Sequence, residues 1–240
     1  MKTLLSVILF STSALAALAQ GTTQIVVPNA LANVEGNSSA SDPFTSSSFR
    51  LQMVFDASQF AIPAGASGRI NSIWFRLDST AINDPAMFFG GGSVTLSTTP
   101  VGPDGLSSVF ANNTGPNAVT IFNGAMSFGG TYQSEANPQP FRQTFIATSP
   151  FWYNPQQGNL LLDIRGRSGQ AFFPGSLDAQ STIGDSVSRV FANSELLTSG
   201  TADTLSFVVR FDTTVVPEPS TWTLTALGLA TLLMFKRRRN

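Results

Sequence analysis

Between Gln20 and Pro219 the ionised side chains are carboxylates and arginines alone, so any chemistry of this chain has to be done with them or with hydroxyls and rings. The chain contains no His and no Cys. That removes the Ser-His-Asp triad, the thiol nucleophile and the His or Cys metal site. Both lysines, Lys2 and Lys236, fall in the terminal segments, which removes Schiff-base and Ser-Lys chemistry from the body. Carboxylate chemistry remains. A glycan hydrolase needs two facing acids, one of them with a raised pKa. Glu35, Glu135 and Glu195 are the glutamates before the C-terminal tail, each in a polar, loop-like setting. Nothing in their spacing pairs them, so a non-catalytic body without a cofactor is expected.

Binding asks for less. Calcium takes several oxygen ligands from a loop, and Asp78, Asn83 and Asp84 fall in one short turn region, with Asp178 and Asp185 flanking another. Neither has EF-hand spacing, and solvated turn residues explain both more simply. Trp74, Trp152 and Tyr153 could offer ring faces to a sugar if exposed. Against this, 20 Phe and 2 Tyr describe a chain that uses rings for packing. Arg165-Gly166-Arg167 would suit an acidic polysaccharide, although arginines at a strand end are commonly plain surface charge. Asn37-Ser38-Ser39 and Asn112-Asn113-Thr114 match glycosylation sequons but are not read as modified.

The elements that would hold these residues have a period of two. In Phe49–Phe55 the side chains of Phe49, Leu51, Met53 and Phe55 share one face, and Ile73, Phe75 and Leu77 repeat the pattern. Further alternating runs are Ser93–Thr98, Ala118–Phe122, Arg142–Thr148, Leu160–Ile164, Ser188–Ala192 and Thr204–Phe211. Asn83-Asp84-Pro85, Gly90-Gly91-Gly92, Gly102-Pro103-Asp104-Gly105 and Gly129-Gly130 separate them as turn clusters. Phe151-Trp152-Tyr153 leads through a Gln156-Gln157-Gly158 turn into Asn159–Ile164, the densest apolar stretch and a candidate central strand. The expected architecture is all-β, an antiparallel sandwich of jelly-roll type over residues 20–212. Residues 213–220 would be a linker, leaving no room for a second domain.

The body carries eight arginines against fourteen acids, a net charge of 8 − 14 = −6. Without a basic stripe it is a poor ligand for nucleic acid. Without cysteine its core, not a disulfide, supplies the stability.

The two ends read as targeting segments. Met1-Lys2-Thr3, the apolar run from Leu4 to Leu18, and Ala17-Leu18-Ala19 give the charged, apolar and small-residue regions of a signal peptide. Cleavage after Ala19 would expose Gln20, with export by the Sec route. At the other end, Val216-Pro217-Glu218-Pro219-Ser220 precedes an apolar run, Thr221 to Phe235, and a basic stop, Lys236-Arg237-Arg238-Arg239. The prolines push this motif toward extended geometry. As a helix the apolar run would span ~22 Å, a short transmembrane segment against a hydrocarbon core of ~30 Å. The terminal cations would stay cytoplasmic.

This ordered tail resembles the PEP-CTERM sorting signal. Pro217-Glu218-Pro219 matches the motif, Thr221 to Phe235 the helix, and Lys236 to Arg239 the basic end. The resemblance implies recognition by exosortase, an integral-membrane cysteine protease and transpeptidase. It implies anchoring in the inner membrane before processing, then residence at the cell surface or in the extracellular matrix. The matching proteins belong to bacteria that make extracellular polysaccharide, which is accordingly the implied partner of the body.

Overall fold

The computed structural model describes residues 21–81, 86–129, 136–172 and 176–217. Asn83, Asp84 and Glu135 lie outside them, as do the signal segment 1–19 and residues 218–240 of the tail. Among the described residues the chain is all-β with antiparallel sheets, and no helix is long and apolar enough to cross a membrane.

Three sheets make up the body. The first has four strands in the order β1 (Thr22–Val27), β13 (Val209–Pro217), β4 (Ala66–Arg76) and β7 (Phe141–Tyr153). A six-stranded sheet runs β11 (Thr201–Asp203), β10 (Val187–Ala192), β3 (Phe49–Phe55), β8 (Asn159–Phe172), β5 (Ala86–Thr99) and β6 (Val119–Gly129). A small third sheet orders β12 (Leu205–Phe207), β9 (Leu177–Ser181) and β2 (Ser38–Ala40). The two large sheets share one core, in which Phe55 of β3 meets Phe211 of β13 edge-on at 5.1 Å and Phe44 meets Phe49 at 5.1 Å. The phenylalanine-rich composition is thus used for packing, since edge-on ring pairs add to the area they bury.

The alternation in Phe49–Phe55 does send Phe49, Leu51, Met53 and Phe55 into that core. Yet all seven residues of β3 are buried. The connection from β5 to β6 folds back over the outer face of the six-stranded sheet, where Leu106 and Phe110 pack on Val54, Leu161 and Val190. A period-two pattern therefore marks which side chains face the main core, and says nothing of what covers the other side.

Several boundaries differ from those the sequence suggests. Gly90-Gly91-Gly92 is no turn; it lies inside β5. A Cβ at Gly92 would meet the Arg165 carbonyl oxygen at 2.4 Å, and one at Gly91 the Arg167 Nε at 2.8 Å. The glycines let β8 and its arginines pass close by. Phe151, Trp152 and Tyr153 close β7, and Asn154 caps a short 3-10 turn, Pro155–Gln157, before β8 begins. That turn ends at Gly158 with φ of 134°, a geometry suited to glycine. β8 is flanked by β3 and β5, a central position.

The largest correction concerns the expected linker. Residues 213–217 belong to β13, which pairs with β1 on one side and β4 on the other. Thr213 is fully buried, and its hydroxyl donates to the Thr23 carbonyl at 3.2 Å. The body thus runs to Pro217, the first proline of the tail motif, rather than stopping at residue 212. Thr22 sits opposite Thr214, so the start of β1 and the end of β13 lie at the same end of the sheet.

Candidate functional site

Three places gather side chains that could act on something outside the protein. The first is acidic. Glu35, Asp78 and Asp178 bring carboxylate oxygens within 4.8 Å of one another. Asp78 is buried beside Asp178, a hundred residues on, while Asn83 and Asp84, the other members of its expected turn site, lie outside the described residues. Most of these oxygens are already engaged. Asp178 Oδ1 accepts from the Gly36 amide at 2.8 Å, and its Oδ2 takes Arg76 at 2.6 Å. Arg76 also donates to the carbonyls of Leu31 and Val34. Glu35 accepts from the amide and hydroxyl of Ser79, and Asp78 from the amide and hydroxyl of Thr80. Burial raises the Asp178 pKa to about 6, against the lowering effect of Arg76 and the Gly36 amide. All-oxygen donors would suit a hard cation, but the buried arginine already supplies a counter-charge. The cluster works as a latch that ties the segment after β1 and strand β9 to the end of β4.

The second place is a cleft of about 530 Å³ between the turns after β1, β3 and β9, lined by Asn29, Asp56, Gln59, Gln180 and Asp185 among others. Two carboxylates face one cavity here. Each serves its own turn: Asp56 accepts from the Ser58 amide and Asp185 from the Val187 amide. The second oxygen of Asp185 is buried without a partner among the described residues, and desolvation pushes its pKa upward, with nearby Asp104 adding to the rise. Of the glutamates considered for hydrolysis, Glu35 lies in the latch and Glu195 stands 3.7 Å from Arg167. Arg165 stands 3.8 Å from Asp163, so both arginines of that pair have acidic neighbours.

The third place is the outer face of the four-stranded sheet, and it holds the candidate rings. Tyr153 is not ligand-facing: it is fully buried, its hydroxyl donates to the Gly158 carbonyl at 2.9 Å, and burial raises its pKa. Alternation along β7 turns Tyr153 into the core and so turns Trp152 outward. Trp74 does point outward, but its surface is taken. Its Nε1 donates to Asp212 Oδ2 and Ser72 Oγ at 2.8 Å, and the Arg210 guanidinium covers its ring at 4.6 Å. Arg210 Nε lies 3.1 Å from Asp212 Oδ1, an ion pair whose alignment falls short of a hydrogen bond. Trp152 alone remains open, 48% exposed, with Ile146 on the same strand 64% exposed.

Register supplies a neighbour that spacing in sequence could not. Arg69 on β4 stands directly opposite Trp152, and Thr214 and Thr22 continue the row across the sheet. At ~4.8 Å between strands the row is about 14 Å long. Asn71 donates to the Thr214 hydroxyl at 2.9 Å beside it. Between Ile146 and Phe151 the β7 register jumps while β4 advances only from Ser72 to Ile70, a bulge that re-aims the end of β7.

No family model and no curated protein matches the chain. Among solved structures it aligns with the cysteine protease and lectin-like domains of Cwp84, a surface layer associated protein of Clostridium difficile, at 10% identity and a TM-score of 0.33. That alignment covers 70% of this chain and 32% of the other, so the chain spans about a third of that structure's length.

Proposed function

We propose that this is an exported bacterial surface protein, sorted through a PEP-CTERM tail by exosortase, whose non-catalytic body holds extracellular polysaccharide on one sheet face. The body is best described as a jelly-roll-like sandwich. Delivery rests on the residues of the two ends: the signal segment closing at Ala17, Ala19 and Gln20, and the tail of Val216, Pro217, Glu218 and Pro219 followed by its apolar run and Lys236 to Arg239. The glycan part is carried by Trp152, a large ring left half in solvent on the outer face of the four-stranded sheet, where Trp74 is already covered. A sugar ring stacked on Trp152 would take its apolar surface out of water, at roughly 25 cal/mol per Å². The body is acidic overall and carries no basic stripe, so phosphate backbones are not the partner.

Intact-mass analysis of the native protein from envelope and medium tests the delivery. The expected species in wild-type cells lacks residues 1–19 and the tail, whereas an exosortase-deficient strain retains the tail at the membrane. An identical C-terminus in both strains would refute sorting by exosortase.

A further inference from the structure

The outer face of the four-stranded sheet presents two Trp–Arg pairs in matching cross-strand positions. Arg210 on β13 stands opposite Trp74 on β4, and Arg69 on β4 stands opposite Trp152 on β7. The first pair is closed. The guanidinium lies on the indole at 4.6 Å, and Asp212 supplies the carboxylate that completes an aromatic–cation–anion group. The second pair is open. Among the described residues no guanidinium lies over Trp152, and no carboxylate pairs with Arg69, which is exposed. What it lacks, relative to its neighbour, is the acid.

We infer that the Trp152–Arg69 pair binds a uronic-acid unit of an acidic polysaccharide, the pyranose ring stacking on the indole and its carboxylate meeting the guanidinium. This deepens the glycan reading of the same face and rests on it. A planar guanidinium matches a carboxylate with two parallel hydrogen bonds, which a neutral sugar cannot supply. The hydroxyls of Thr214 and Thr22 lie along the row where the next sugar units would run. The net charge of −6 does not forbid an acidic ligand. At physiological ionic strength charges are screened over ~8 Å, so the local balance decides. On this face the carboxylate of Asp212 is already matched by Arg210, and Arg69 has no matching acid among the described residues.

Full-length protein in detergent micelles is titrated with polygalacturonate, with its methyl ester and with the neutral polymer dextran, and binding is read by calorimetry. The acid polymer is expected to bind, and the ester and dextran at least about tenfold more weakly, a step of ~1.4 kcal/mol. Arg69→Gln and Trp152→Ala should each lose about as much, and Arg69→Lys should recover part of it. Both side chains are exposed, so melting temperatures near wild type will show that the variants fold; Phe88→Ala, 50% exposed on the other large sheet, should bind as wild type does. If the ester or dextran binds as well as the acid, through Trp152 but not Arg69, the uronate inference is wrong and the glycan face stands. If none of the polymers binds, or if both substitutions leave binding unchanged, the glycan reading of this face fails too.

Discussion

Arg76 and Asp178 form an ion pair with side chains 1% and 0% exposed, so neither charge has water to fall back on. Removing one partner leaves the other buried and unmatched, which costs roughly 3–5 kcal/mol. Asp178→Asn should therefore lower the melting temperature sharply, with urea unfolding as the check. The pair also has a pH signature. The pKa of Asp178 is raised in the fold, from 3.8 to about 6, chiefly by desolvation. The folded state then favours the protonated acid, so its contribution is full below pH ~4 and is lost as pH rises through about 6. The stability difference between wild type and Asp178→Asn should accordingly shrink between pH 4 and 6 and level off above. A difference that grows with pH over that window would contradict the assignment. At this scale the sequence was informative about residue types and silent about neighbours. The absence of His and Cys excluded whole chemistries, while the meeting of Glu35, Asp78 and Asp178 depends on chain crossings that no spacing encodes.

Strands and their connections carry a second set of polar side chains that the alternating pattern hid. Asp163 sits in the middle of the apolar run of β8, and Gln52 in that of β3; Arg50 clamps Asp163 with contacts of 2.6 and 3.2 Å. Gln52 donates to Asp163 and accepts from Asn113, and Asn113 in turn holds Ser107 at both its amide and carbonyl. The Arg50 guanidinium also lies 4.4 Å from the Phe110 ring centre. This network pins the β5–β6 connection onto the sheet beneath it. Asn113→Ala would strand the Gln52 carbonyl in a dry place, at a cost of about 1–3 kcal/mol. Hydrogen exchange should show residues 104–117 losing protection first, before the strands do. Uniform loss of protection across β3 and β8 would mean that the connection and the sheet open as one unit. A lone acid or amide inside an apolar run was the visible hint. Its hydrogen-bond partners lie 58 to 113 positions away, beyond any local pattern.

For the molecule as a whole, the decisive strand is the last one. β13 lies between β1 and β4, so the first four-stranded sheet cannot close until the chain has been made almost to its end. A chain ending at Asp212, where the pattern suggests the body stops, loses the pairings of Thr213 to Pro217 with Ile70 to Ala66 and exposes the buried Thr213 position. It should fail to fold, whereas a chain ending at Pro217 should melt as the full-length protein does; circular dichroism distinguishes the two. Equal folding of both would show that the end of β13 is dispensable. The tail motif therefore begins inside the sheet, with Val216 and Pro217 as the last residues of β13.

By itself the sequence determined the class of the fold, the strands that face the main core and the chemistries the body cannot perform. Those follow from composition and from a two-residue period, both of which are local. Only the tertiary structure decided which outward rings are free and which are spent. Trp74 and Trp152 look alike along the chain, yet one lies under Arg210 with Asp212 at its nitrogen and the other stands open beside Arg69. The difference comes from register between strands far apart in sequence, set by a bulge in β7 and by the burial of one sheet face. Neither is written in any single segment.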